Sequence, residues 1–179
     1  MKAAENLHLY ITNSITERDL IDKLMQASCA GVQIDLIVRG ICCILPGIPG
    51  KTENIRVVSI VGRFLEHSRI YCFGDGDLRQ IYISSADIMT RNQEHRVEIA
   101  CPILTDEHRR WFSFYIDLLL GDNVKAKRMT SLGTYERNLQ ENADPLDAQK
   151  YFVEHFISFQ KQEDKKKGLF GMFFSKIFS

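Results

Sequence analysis

Along the first forty residues the spacing of apolar and polar positions changes twice. "LHLYIT" (Leu7–Thr12) has the composition of a strand. In "SITERDLIDKLMQASCAG", Leu20, Leu24 and Ala27 recur at helical spacing, acids crowd the first turns, Ser14 or Thr16 offers a cap, and Gly31 ends the pattern. "VQIDLIV" then forms a near-continuous apolar, β-branched run that stops at Arg39-Gly40. Strand, helix and strand in that order predict a parallel βαβ unit. A rigid loop, "ILPGIPGKTEN", follows with two Pro-Gly turns.

Three further strand-like runs come next: "IRVVSIVG", "SRIYCFG" and "RQIYISSA". The last two are joined by "GDGD", which predicts a hairpin. "HRVEIACPIL" predicts another strand, and "TDEHRRWFSFYIDLLLGDN" a helix capped at Thr105 with Asp106 and Glu107 in its first turn. "NVKAKRM" and "TYERN" form a second hairpin, and "DPLDAQKYFVEHFISFQK" a closing helix with Pro145 near its first turn. The sum is an α/β fold, a mixed β-sheet flanked by helices, over residues 1–160. Residues 161–179 form a separate tail, in which three consecutive lysines precede a Phe-rich, Gly-broken segment. Disorder, packing on a neighbour and contact with an anionic membrane surface all suit such a tail.

Charge narrows the function. Lys+Arg and Asp+Glu are both 23, so the 179-residue chain as a whole exerts no pull on polyanions, and nucleic acid is not an expected partner. Local clustering differs. Residues 36–72 carry Arg39, Lys51, Arg56, Arg63 and Arg69 against Glu53 and Glu66, and the tail carries five lysines against Glu163 and Asp164. The five cysteines form no C-x-x-C pair and mostly lie in apolar runs, which predicts reduced, buried thiols, no zinc site and a cytoplasmic protein. No apolar run is long enough to span a bilayer.

Several residues have chemistry suited to phosphate. Arg39 ends a buried strand, and open α/β sheets bind ligands outside the carboxyl ends of their strands. Its planar fork of donors matches phosphate oxygens, although a strand-end arginine paired with a surface carboxylate has the same signature. In "RFLEHSRIY", His67 and Arg69 share a face if a strand starts near them. A histidine there can give or take a proton near neutral pH; the alternative is a solvated strand edge. Ser84 and Ser85 in "SSAD", with Arg91 and Asn92 in "MTRN", add hydroxyl, cationic and amide groups that suit an oxyanion pocket or ordinary turn chemistry. "PGIPGKT" lacks the spacing and the following helix of a phosphate loop.

"IDLIVRGICCILPGIPGKTENIRVVSIVGRFLEHSRIYCFGDG", together with "IYISSADIMTRN" and "HRVEIACPI", resembles the C-terminal, phospholipase D-like domain of the long, multidomain bacterial polyphosphate kinases. The likeness runs from about Asn6 to about Phe152. It implies reversible transfer of the terminal phosphate of ATP to polyphosphate, with magnesium, through a phosphohistidine carried by a preceding domain. It implies that Arg39 contacts the nucleotide phosphates and that His67 lies by the same phosphates as an assisting catalytic histidine, with Arg69 sharing its face. No metal ligands are identified here. The implied partners are ATP, ADP, polyphosphate and the preceding domains, in a homo-oligomer when full-length. Peripheral contact with the inner membrane is an expectation from the composition of the tail alone, not from the resemblance.

Two features depart from the family. Ile88 stands where many members have tryptophan, and the Lys- and Phe-rich tail exceeds the usual end. Met1, directly before a strand that is mid-protein in the family, leads to the expectation of an expressed fragment. Two other functions fit the same residues. A phospholipase D-type phosphodiesterase needs two H-x-K-x-x-x-x-D motifs, whereas this chain has a single H-x-R at His67 and Arg69. A non-catalytic polyanion-binding module needs only the basic window.

Overall fold

The structure, a computed structural model, describes residues 9–74, 79–138 and 143–155. One eight-stranded sheet organises it: β1 (Leu9–Thr12), β2 (Ile34–Val38), β3 (Ile55–Ile60), β4 (Ile70–Phe73), β5 (Gln80–Ser84), β6 (Ala100–Pro102), β7 (Ala126–Met129) and β8 (Tyr135–Arg137). Their spatial order is β6-β5-β4-β1-β2-β3-β7-β8. Only β1–β2 and β2–β3 pair in parallel, and the other pairs are antiparallel. Helix α1 (Arg18–Cys29) makes the crossover between β1 and β2, as the βαβ pattern predicts. The expected β4–β5 and β7–β8 hairpins are both present.

Period-two alternation divides the core into two layers. Ile11, Ile37, Val58, Ile60, Ile70, Cys72 and Ile81 point to one face, where Ile116, Leu118 and Leu119 of α3 (Asp106–Gly121) and Ala148 cover them. Leu36, Val38, Ile55 and Val57 point to the other, under Leu24 of α1. Because β2 and β3 are buried on both faces, "IDLIV" and "IRVVSI" carry apolar residues at successive positions. The two edge strands, β6 and β8, are three residues long and exposed, which limits edge-to-edge association.

Four expectations need correction. The cap of α1 is Glu17, whose carboxylate accepts the N–H groups of Asp19 and Leu20 at 3.0 and 2.6 Å. Ser14 and Thr16 cannot cap because the chain stays extended past them. Ile15 bridges Cys42 and Ile88, Thr16 N–H bonds Ile88, and the Ser14 hydroxyl accepts Ile41 N–H. The segment "HRVEIACPIL" yields only the three-residue β6; Val97 at its start is 98% exposed and has nothing to pair with. "MTRN" is not a loop but opens the short helix α2 (Thr90–Glu94). Of the cysteines, only Cys72 is buried; Cys42 is half-buried, and Cys29, Cys43 and Cys101 are exposed.

The closing helix begins at residue 148, with Asp147 accepting Lys150 N–H on its side chain. Pro145 therefore precedes the first turn. Asp122, fully buried just past α3, ties this region together. Its Oδ1 accepts N–H groups of Val124, Lys125 and Ala126, and its Oδ2 accepts Ala148 N–H at 2.9 Å. One carboxylate thus joins the end of α3, the start of β7 and the start of the closing helix. The predicted tail, residues 161–179, lies outside the described residues. Among the described residues no helix is long and apolar enough to cross a membrane.

Replacing Asp122 with alanine orphans four backbone donors, two of them buried. The expected loss is on the order of 3 kcal/mol or more, read as a lower urea midpoint with unchanged slope.

Candidate phosphate site at the carboxyl ends of the parallel strands

The parallel strands β1, β2 and β3 end on one side of the sheet, and Arg39 follows directly on β2. Gly40 makes the turn that places it. Gly40 N–H bonds Asn13 O at 2.8 Å, and a Cβ at this position would lie 2.6 Å from the same oxygen. The strand end therefore packs against the end of β1 only if residue 40 is glycine. Arg39 Nε donates to Asn13 Oδ1 at 2.7 Å. Its two terminal nitrogens have no hydrogen-bond partner among the described residues. Arg39 lines a cavity of about 330 Å³ together with Ile60, Gly62, Arg63, Phe64, Leu65 and Glu66. A tethered guanidinium with its fork unpaired is arranged to receive an anion with two adjacent oxygens.

Asn13 connects this arginine to a second one. Asn13 N–H and its side-chain amide both donate to Asp87, at 2.8 and 3.2 Å, and Thr12 Oγ1 donates to Asp87 Oδ1 at 2.9 Å. The other partner of Asp87 is Arg69, whose Nη2 lies 2.9 Å from Oδ2. Burial alone would raise the Asp87 pKa, but bonds from Arg69, Asn13 and Thr12 outweigh it and hold the carboxyl down at about 2. Asp87 is therefore a fixed anion holding four donors.

Arg69 extends from Asp87 to His67. Its Nη1 lies 3.2 Å from His67 Nδ1 and its Nη2 3.4 Å from Nε2. The in-plane bonding directions of the two ring nitrogens diverge, so no single guanidinium can bond both edges. Both terminal nitrogens therefore lie against the imidazole, and Nη1 also donates to His67 O at 3.3 Å. Neither ring nitrogen has another partner among the described residues, and the exposed His67 ring is accessible to a ligand. Sequence reasoning placed His67 and Arg69 at the start of a strand, yet β4 begins at Ile70. The two residues are brought together by direct contact of the guanidinium with the ring instead of by strand alternation.

The remaining expected residues fall into a separate cluster. The Ser84 hydroxyl donates to Ile99 O at 3.0 Å, and the Ser85 hydroxyl accepts Ile99 N–H and donates to Glu98. Asn92 Nδ2 donates to the other Glu98 oxygen at 2.6 Å, and its buried Oδ1 has no partner. The Ser85 and Asn92 bonds lower the Glu98 pKa. These groups fasten the segment before β6 to the end of β5. Arg91 is exposed and makes no side-chain bond among the described residues. Asp87 and Asn13, which join Arg39 to Arg69, were not picked out from the sequence as site residues. The available signal was position, since each is a polar residue just past a strand end.

Magnesium finds no fitting donor set here. Asp87 is saturated by Arg69, Asn13 and Thr12, Glu98 is held by Ser85 and Asn92, and no group of three or more His, Cys, Asp or Glu among the described residues is placed to hold a metal.

Fold and site together define an α/β domain presenting an open arginine fork and a braced histidine at the strand ends. Residues 2–149 match the family described as polyphosphate kinase C-terminal domain 2, and the chain belongs to that family. It is 48% identical over 150 residues to a polyphosphate kinase of Staphylococcus saprophyticus, covering 84% of this chain and 21% of that protein. It is 50% identical over 137 residues to a polyphosphate kinase of Bacillus cereus, covering 76% of this chain and 20% of the relative. The crystal structure of polyphosphate kinase from Porphyromonas gingivalis superposes with a TM-score of 0.83 at 38% identity, covering 90% of this chain and 25% of the other. The phospholipase D-like α/β architecture is thereby shown, and the chain spans about a fifth of the length of the curated relatives it matches.

The depressed pKa of Asp87 sets a pH test. Its stabilising contribution is complete above the ordinary carboxyl value of 3.8 and is lost as pH falls through about 2. Asp87→Asn should be less stable than the parent at neutral pH, and urea midpoints of the two should converge between those values.

Proposed function

We propose that this domain supplies the phosphate-binding half of a phosphotransfer site in a complete polyphosphate kinase. In this reading the P–O bond to the terminal phosphate of ATP breaks, and the phosphoryl group passes to a histidine of a preceding domain, releasing ADP. The phosphoryl group then moves to a terminal oxygen of polyphosphate, and the sequence runs in either direction. Arg39 binds the transferring phosphate through its open fork. His67 donates a hydrogen bond or a proton to a phosphate oxygen as charge develops. Arg69 braces the ring, and its own charge is balanced by Asp87. A magnesium ion arriving with the nucleotide would screen phosphate charge without a ligand from this chain.

The observation that carries this reading is the chain of contacts Arg39–Asn13–Asp87–Arg69–His67. It ties two groups with unused phosphate-binding capacity to a single buried anion. Names shared with the relatives support the substrate class, ATP and polyphosphate. The preceding domains and a second copy of the enzyme are the proposed partners, in the cytoplasm.

In the complete enzyme, Arg39→Ala and His67→Ala should each lower kcat on the order of a hundredfold with the fold retained, by loss of a contact made in the transition state. Arg39→Lys should also be poor, because an ammonium cannot reproduce the fork. Steady-state rates with ATP decide this, and near-parental rates in both alanine variants would remove these residues from the site. The 179-residue chain alone should not become labelled by radioactive ATP, and acid-labile, alkali-stable label on it would contradict the assignment.

A further inference from the structure

His67 is borne on residues 61–68, a segment with no strand or helix of its own, in which Val61 and Leu65 are 72% and 68% exposed. Arg69 contacts the ring and His67 O, and the segment before and after His67 is held by contacts from two helices. Gln149, 5% exposed on the closing helix, accepts Phe64 N–H at 3.0 Å through Oε1 and donates to Phe64 O at 2.9 Å through Nε2. The amide thereby satisfies both backbone groups of one residue, as a neighbouring strand would. Its second Nε2 hydrogen goes to Glu66 Oε1 at 2.7 Å. The other Glu66 oxygen accepts from Tyr115 of α3 at 3.2 Å, and Tyr115 Oη also lies 3.4 Å from Ser68 Oγ.

The fit leaves no slack. A Cβ at Gly62 would lie 2.4 Å from Gln149 Oε1, so the segment closes directly onto the amide. Burial pushes the Tyr115 phenol up to about 12, which keeps it a neutral donor toward Glu66 across the working pH range. The anchor is itself fixed, because the preceding residue, Ala148, is bonded to the buried Asp122 carboxylate. Contacts therefore flank His67 on both sides, through Phe64 and Glu66 before it and Ser68 after it.

We infer that Gln149, Glu66 and Tyr115 form a latch that positions His67 for the transfer, making them positioning residues that act through the backbone carrying the ring. The inference rests on the role proposed for His67. Misplacing a catalytic group by about an ångström costs rate far more than it costs substrate affinity.

The test is made in the complete enzyme. Gln149→Glu is nearly isosteric but replaces both amide hydrogens with an acceptor that opposes Phe64 O and the Glu66 carboxylate. Expected is a fall in kcat of about tenfold or more, normalised to folded protein, with KM for ATP within about twofold of the parent. Adding Glu66→Gln to that variant restores a donor facing residue 149 and should recover at least about threefold in kcat. A general loss of stability would not be rescued by that second change. Tyr115→Phe, which removes one donor with little change of volume, should lower kcat in the same pattern and serves if Gln149→Glu does not fold. A parental kcat in both Gln149→Glu and Tyr115→Phe, or no recovery in the double variant, overturns the latch. His67→Ala is measured alongside. If it is inactive while the latch variants are normal, the latch alone fails. If it is fully active, the proposed role of His67 fails and the latch with it.

Discussion

A buried carboxylate stays ionised only where donors meet its charge, and Asp87 meets that condition at the meeting point of three chain segments. The end of β1 supplies Thr12 and Asn13, the entry to β4 supplies Arg69, and Asp87 itself sits between β5 and α2. Each donor is also a tether. Asn13 holds Arg39, and Arg69 holds the His67 ring. A charge removed at Asp87 would leave the half-buried Arg69 without its ion-pair partner, and breaking a largely buried pair in this way is costly. The geometry of the proposed site is thus a by-product of satisfying one anion.

The sheet explains why that anion is where it is. Parallel pairing of β1 with β2 and β3 brings three strand ends to one side, and the antiparallel β4–β5 hairpin docks on β1 to deliver Arg69 and Asp87 to the same place. The helices act from the opposite direction. Tyr115 on α3 and Gln149 on the closing helix reach through to the segment that carries His67, and Asp122 locks those two helices to each other. One face of the molecule is set by Asp87 and its backing by Asp122, so two buried carboxylates define both ends of the support.

Most of this architecture was legible where the pattern was local. The βαβ unit, both hairpins and the Thr105-capped helix follow from periodicity and turn chemistry, each satisfied within a few residues. What escaped was set by distant partners. Glu17 caps α1 because Ile41, Cys42 and Ile88 hold residues 14–16 extended, contacts across the fold that no window of sequence contains. Likewise "HRVEIACPIL" has strand composition but finds a partner for only three residues. Arg39 and His67 were visible as phosphate candidates from residue type, strand position and family resemblance. Asn13 and Asp87 were not, since their importance comes from separations of 74 residues and more, closed only in the folded chain.

The central claim is that His67, held by Arg69, presents its exposed ring to a phosphate bound beside Arg39. The most direct measurement is the imidazole ¹⁵N and ¹H shifts of His67 as tripolyphosphate is added to the 179-residue chain. The account predicts that these resonances move saturably in the parent and that the movement is lost in Arg39→Ala with the fold retained. Tripolyphosphate binding that leaves the His67 ring unperturbed, or that is unchanged without Arg39, would contradict it.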